Sequence, residues 1–246
     1  MLLNDSINKE SPLPLYYQLK ELIKKEIEEG KLTPGEMIPS ERDLGERFEI
    51  SRPTVRQAIN ELVNEGILNR KKGLGTFVAK PKISQQFLEN LTSFQNEMKA
   101  KGLPYSTKVI EQKEVLSSPE LESVFGEGYS SYIFIKRLRY IKDNPVVVVS
   151  TYIPKQLAPD LINADLTNAS LYETLQLNYN LKIQRAQRVM EAVVASDEDA
   201  KWLELEKVSA AMFIKTTGFL EDNRIFEYSL ARYRGDLTNF TVNLSI

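Results

Sequence analysis

The chain contains no cysteine and no histidine. Without cysteine, disulfides and thiolate chemistry are excluded. Without histidine, the usual general base at neutral pH and the commonest transition-metal ligand are both missing, so a zinc site and a Ser-His-Asp triad are ruled out. Carboxylate-based catalysis stays open. No metal ion or organic cofactor is expected. Long apolar runs are also missing: the aliphatic stretch from Val146 to Val149 is far too short to span a bilayer. The opening Met1-Leu-Leu-Asn-Asp-Ser6 lacks the basic segment and apolar core of a signal peptide. These absences lead to the expectation of a cytoplasmic chain with no membrane partner.

What is present suits a soluble protein of one large or two ordinary domains: 246 residues, 42% hydrophobic and 27% charged, enough to bury a core. A net charge of −2 argues by itself against a nucleic-acid partner. The distribution of charge along the chain argues the other way. Residues 1–50 hold seven Lys/Arg against eleven Asp/Glu, a net −4, whereas residues 51–80 hold six against two, a net +4. Positive charge concentrated in thirty residues is the footprint expected of a phosphate-facing surface.

The pattern within that region is specific. Leu15, Leu19, Leu22, Ile23 and Ile27 recur at helical spacing from near Pro14 to Gly30. Pro34-Gly35 marks a loop, and Ser40 with Asp43 forms a capping box that starts a second helix. Glu49-Ile-Ser51 is a turn of helix-turn-helix length. In the third helix Val55, Ala58, Ile59, Leu62 and Val63 make one apolar stripe, closed by Gly66. Arg52, Thr54, Arg56, Gln57 and Asn60 occupy the remaining surface, where Arg reads guanine and Gln or Asn reads adenine. A strand-turn-strand then runs from Ile67 to Val78 around Lys72-Gly-Leu-Gly75, with Arg70, Lys71 and Lys72 as phosphate contacts and Gly73 and Gly75 allowing close backbone approach. The order of parts is that of a winged helix-turn-helix.

Beyond it, the polar, Pro81-containing stretch from Ala79 to Gln86 reads as a linker, assigned to residues 80–90. Residues 87–101 read as a helix ending at Gly102. Two hairpins are legible: Tyr132–Ile141 with Val146–Ile153, and Ala211–Leu220 with Ile225–Tyr233. Short helices fit Pro119–Phe125, Ser170–Asn178 and Ser196–Glu204. Helices and strands mix without regular alternation, so the class is α+β on an antiparallel sheet, with domains at 1–79 and 91–246. The period of two puts Arg137 and Arg139 on one face with Ile133, Ile135 and Ile141, a half-buried face that calls for an anion. Glu227 and Tyr233 share parity as acceptor and donor, and Thr92-Ser93-Phe94 offers hydroxyls at a helix entry.

Pro-Ser-Glu-Arg-Asp-Leu at 39–44, Ser-Arg-Pro-Thr-Val-Arg-Gln-Ala at 51–58 and Gly-Leu-Gly-Thr-Phe-Val at 73–78 resemble the N-terminal domain of GntR-type transcription regulators. The resemblance implies that Arg42 and Arg52 contact bases or nearby phosphates. Thr54 and Arg56 would hold the backbone, and the hairpin around Gly73 and Gly75 would enter the minor groove. Ser51, Gln57 and Lys71 complete the candidate DNA-contacting set. Leu-Thr-Ser-Phe at 91–94, Lys-Arg-Leu-Arg at 136–139, Ser-Leu-Tyr at 170–172, Phe-Glu-Tyr at 226–228 and Tyr-Arg-Gly-Asp at 233–236 resemble the effector-binding UTRA domain of the HutC subfamily, which shares its fold with chorismate lyase. That resemblance implies a phosphate held by Thr92, Ser93, Phe94 (through its backbone N–H), Arg137, Arg139, Ser170 and Tyr172, and a sugar met by Glu227 and Tyr233. It lies near the branch that senses N-acetylglucosamine 6-phosphate and glucosamine 6-phosphate. Val149 stands where amino-sugar-sensing members carry Glu, so a different sugar phosphate is compatible.

The expectation is therefore a homodimeric repressor on a palindromic double-stranded operator, released by a small phosphorylated effector, and not an enzyme. Two alternatives stand beside it. One is a DNA-binding module fused to a lyase-like enzyme using Glu227, Arg137 and Arg139 on an anionic substrate, and the other an architectural DNA-binding protein without an effector.

Overall fold

The computed structural model describes residues 6–71, 73–79, 82–85, 91–167, 169–205 and 208–243. The chain divides into two units, Met1–Pro81 and Lys82–Ile246.

In the first unit, helices α1 (Leu15–Glu28), α2 (Glu41–Phe48) and α3 (Arg52–Asn64) precede a hairpin of β1 (Leu68–Lys71) and β2 (Gly75–Val78). The capping box forms as the sequence predicts: Ser40 Oγ accepts from the Asp43 N–H at 3.2 Å, and Asp43 Oδ2 accepts from the Ser40 N–H at 3.3 Å. Helix α2 stops where Glu49 turns left-handed (φ 51°), and Ser51 caps α3 three residues before Thr54. Pro53 sits in the first turn of α3, where a missing N–H leaves no helical bond unmade. The apolar stripes converge on one core in which Leu19, Leu32, Leu44, Val55, Ala58 and Leu62 are fully buried. On the outside Lys20 pairs with Glu61 (3.0 Å) and Glu65 (2.5 Å), tying α1 to α3. The wing is antiparallel, with Leu68 opposite Val78 and Lys71 opposite Gly75.

The second unit is built on a six-stranded antiparallel sheet. Its strands are β4 (Tyr105–Leu116), β5 (Ser131–Ile141), β6 (Asn144–Pro154), β7 (Arg185–Val194), β8 (Ala210–Phe219) and β9 (Ile225–Arg234), in the order β4-β5-β6-β9-β8-β7. Helices α4 (Phe94–Ala100) and α6 (Leu171–Tyr179) accompany the face that carries Ile133, Ile135, Val147 and Ile214. Helices α5 (Pro119–Phe125) and α7 (Asp197–Leu203) pack with residues of the other, such as Tyr132, Leu138 and Val148. Both faces carry apolar residues, so β6 contains the aliphatic run Val146–Val149, whereas β5 is interrupted by Lys136, Arg137 and Arg139. The mixed α+β class is the one expected.

Two expectations need correction. Within the segment read as linker, Ile83–Gln85 forms strand β3, paired in parallel with β10 (Thr238–Phe240) in the second unit. Lys80, Pro81 and residues 86–90 lie outside the described residues. A three-residue strand whose partner is 155 positions away leaves no local periodicity to read. The helix expected over 87–101 covers only Phe94–Ala100, because Ser93 is its cap: the hydroxyl accepts from the Asn96 N–H at 3.2 Å, and residues 91–93 are not helical. Residues 87–90 of that expected helix lie outside the described residues.

Candidate functional site

The first unit presents Arg52, Arg56, Gln57 and Asn60 on the solvent side of α3, the face left over once the apolar stripe is buried. Ser51 is occupied as a cap, and its hydroxyl also bonds Thr54 Oγ1 at 2.7 Å. Arg42 is well exposed and donates from Nε to Glu46 at 2.8 Å. One carboxylate joins the two parts of this surface. Glu41, first residue of α2, accepts from Arg56 Nε on α3 through Oε2 and from Arg70 Nη2 on the wing through Oε1, both at 3.0 Å. Sequence reasoning assigns Glu41 no role, since nothing local shows that residues 15 and 29 positions on return to it. At the wing tip Gly73 (φ 76°) and Gly75 (φ 128°) take conformations that a side chain resists. A Cβ on Gly75 would also sit 3.0 Å from Met37 Sδ. The Lys71 ammonium lies 5.0 Å from the Phe77 ring centre. Lys72, expected as a phosphate contact, lies outside the described residues.

In the second unit Thr92, Ser93, Phe94, Arg137, Arg139, Ser170, Tyr172, Glu227 and Tyr233 all line one open cleft. A concave space on which several polar groups converge suits a small-molecule ligand. The sheet supplies the floor. Arg137 on β5 is in register with Val149 on β6, and Val149 with Ala231 on β9; Arg139 aligns with Val147, and Val147 with Tyr233. Two caps supply the upper rim, Ser93 before α4 and Ser170 before α6. Each cap hydroxyl accepts a backbone N–H of its own helix and keeps its proton available to an acceptor in the cleft.

The charges here are costly. Arg137 is only 3% exposed, and among the described residues its Nε has no partner, nor does the Nε of the partly buried Arg139. Burial pushes the Arg137 guanidinium down to about 9, and the positive charge of Arg139 acts in the same direction. Arg139 is lowered by burial too, while its guanidinium stacks 4.8 Å from the Phe94 ring centre. Opposing them is Glu227, itself buried. Its Oε2 accepts from Tyr172 Oη at 2.7 Å and its Oε1 from Ser229 Oγ at 2.5 Å. Ser229 continues to Thr151 (2.9 Å), whose Oγ1 accepts from Arg137 Nη2 at 3.3 Å. Burial pushes the Tyr172 hydroxyl well up, helped by the Glu227 charge, and burial holds Tyr233 at about 12, so both stay protonated donors at neutral pH.

Sequence reasoning passed over Thr107, Arg188, Thr216 and Ser229, which also line the cleft. Arg188 was within reach, since alternation along β7 sets it on the face of Ala186 and Met190, opposite Thr216. Gly218 pairs with Glu227 across β8 and β9, and there a Cβ would come within 3.0 Å of Glu227 Oε2 and 3.1 Å of the Phe226 ring. Gly218→Ala is therefore expected to displace the carboxylate and cost about 1–3 kcal/mol by overpacking. Urea unfolding of the variant beside the parent measures the cost.

Residues 15–78 match the family described as bacterial regulatory proteins, gntR family, and residues 100–239 match the UTRA domain. The HTH-type transcriptional repressor NagR of Bacillus subtilis is 41% identical over 236 residues, covering 96% of both chains. The mannosyl-D-glycerate transport/metabolism system repressor MngR of Escherichia coli is 28% identical over 230 residues, 93% of this chain and 95% of its own. Among solved structures PhnF of Mycobacterium smegmatis superposes with a TM-score of 0.65 at 24% identity, covering 94% of this chain and 98% of its own, a likeness of fold. With both halves matched in this order and a repressor aligned along nearly its full length, the chain belongs to the GntR family of bacterial transcription regulators, in its HutC-like, UTRA-bearing branch.

Proposed function

We propose that this DNA-binding repressor acts as a homodimer on a palindromic operator and releases it when a phosphorylated sugar enters the cleft of the second unit. The observation that carries the reading is the pair Arg137, buried, and Arg139, partly buried, with both Nε groups unpartnered among the described residues in a cleft otherwise rich in hydroxyls. A phosphate brings the charge and acceptor oxygens that such a pair lacks. The hydroxyls of Ser93, Ser170 and Tyr172 line the same cleft, and Glu227 with Tyr233 offers an acceptor and a donor to sugar hydroxyls. The name of the MngR repressor, which refers to a sugar derivative, supports a sugar-related effector. Val149 puts an aliphatic side chain against Arg137, which leaves the identity of the sugar open to one without a donor at that position. Two winged units meet two half-sites, so the dimer mirrors the operator's symmetry. Effector binding then shifts DNA affinity by a coupling of about 1–3 kcal/mol.

Arg137→Met tests the site. Removing an uncompensated buried charge is expected to raise the melting temperature of the empty protein, by about 2–4 °C per kcal/mol regained, while abolishing the shift caused by glucosamine 6-phosphate or other sugar phosphates. Thermal denaturation with and without ligand reads both. An intact ligand shift in the variant overturns the assignment.

The same group sets a pH window. An anion paired with Arg137 holds its proton, so effector affinity is expected to be level between pH 7 and 8 and to fall as pH rises through about 9. On the acid side affinity should fall as the phosphate takes up its second proton near pH 6, an order-of-magnitude figure for phosphate monoesters. Calorimetric titrations across that range check both limbs.

On the DNA side Glu41→Gln separates positioning from charge. The change makes the surface more positive and should strengthen binding to random duplex. It also frees Arg56 and Arg70 from their shared anchor, and operator affinity is expected to fall by about tenfold, the worth of one well-placed arginine contact. Fluorescence anisotropy with operator and scrambled duplexes reads the two effects apart.

A further inference from the structure

The tip of the wing is apolar where the strand leading to it is charged. Leu74 is 69% exposed and Met37 55% exposed. A single exposed leucine is ordinary on a protein surface. Here the place of the two residues gives them meaning. The Leu74 N–H donates to the Lys71 carbonyl at 3.0 Å, and Lys71 faces Gly75 across the hairpin, so Leu74 stands in the outermost bend. Residues 35–38 run alongside β2, with the Gly35 and Ile38 N–H groups donating to the Val78 and Thr76 carbonyls at 2.9 Å each and Met37 bridging Phe77. The Met37 thioether is thereby held against Gly75, next to Leu74. Arg70 and Lys71 are exposed and alternate along β1, so one cation goes to each face of the hairpin. Of the tip residues 73–75, none has a side chain that donates or accepts a hydrogen bond.

A hairpin with a cation on each face and an apolar end fits a narrow trench with anionic walls. The minor groove of duplex DNA is such a trench, and one group on its floor tells base pairs apart. All four pairs present acceptors there, and G·C and C·G add the guanine N2 amino donor. An apolar side chain pressed on the floor leaves that amino group without a partner. A·T-rich stretches also narrow the groove and draw cations into it, which suits the two faces of the hairpin.

We propose that Leu74, backed by Met37, is a specificity-determining residue: it lies on the minor-groove floor and selects A·T over G·C beneath the wing by rejecting the guanine amino group. This rests on the reading of the wing as an element that enters the minor groove. It adds to the base-reading face of α3 a second readout that makes no hydrogen bond.

Anisotropy titrations of the full-length protein test this with operator duplexes in which single A·T pairs are changed to G·C or to I·C, with hypoxanthine in place of guanine. I·C keeps the major-groove face of G·C and lacks the minor-groove amino group, so the two changes separate the grooves. At the pairs beneath the wing, G·C is expected to weaken binding by the parent about tenfold, the usual cost of stranding one donor, and I·C to restore it. Leu74→Ser, whose hydroxyl accepts from the amino group, should bring the G·C and I·C duplexes together and leave the salt dependence unchanged, since no charge is altered. Lys71→Gln should weaken binding to operator and random duplex alike and reduce the slope of affinity against salt by about one. If Lys71→Gln changes neither, the wing does not meet DNA, and its reading falls together with the role of Leu74. If Lys71→Gln weakens both but no pair separates G·C from I·C in the parent, or the separation survives Leu74→Ser, the wing stands and the role of Leu74 is overturned.

Discussion

Two guanidinium groups held two residues apart on a buried strand face repel each other and have been stripped of water, and much of the second unit is arranged around that cost. A strand gives no freedom to avoid it, since the period of two sends Arg137 and Arg139 to one side. Three responses are visible. Phe94 offers its ring face to Arg139. A relay through Thr151 and Ser229 connects Arg137 to the Glu227 carboxylate two strands away. Two helix caps and two tyrosines turn hydroxyl groups toward the same space. None of these neutralises the pair, and both Nε groups stay unpartnered among the described residues. The fold therefore maintains a standing demand for an anion, and the apolar residues packed around Ile133, Ile135, Ile141 and Val147 are what make that demand sustainable.

The two units handle positive charge in opposite ways. In the second it is buried and left short of partners. In the first it is exposed, and acidic neighbours hold it: Arg42 by Glu46, and Arg56 and Arg70 by Glu41. Exposed pairs of this sort contribute little to stability. Their effect is on geometry, since one carboxylate fixes the approach of a helix residue and a wing residue at once.

How much of this was legible in the sequence follows from the range of each interaction. The capping box at Ser40, the turn at Glu49, the wing glycines and both long hairpins are encoded within a few residues, and they stand where the pattern sets them. So does the parity that joins Arg137 to Arg139 and Glu227 to Tyr233. Helix α4 is shorter than the span expected for it because the Ser93 cap, in keeping with the hydroxyl-rich entry at Thr92-Ser93-Phe94, sets its first helical residue at Phe94. Strand β3 was hidden because its partner lies at the far end of the unit. Glu41 and Thr216 escape the sequence for the same reason: each acquires meaning only from a side chain brought up by another strand or helix.

The anchoring of Arg56 and Arg70 on Glu41 has a thermodynamic consequence for operator binding. A free arginine on a protein surface meets DNA by displacing cations condensed on the phosphates, and the entropy of those released ions makes affinity fall steeply with salt. An arginine already matched by a carboxylate brings less unbalanced charge to the duplex. Two of the basic groups on this surface are matched by one acid. The protein should thus draw less of its DNA affinity from ion release than its count of arginines and lysines suggests, and hold its grip more evenly as the ionic strength around it changes.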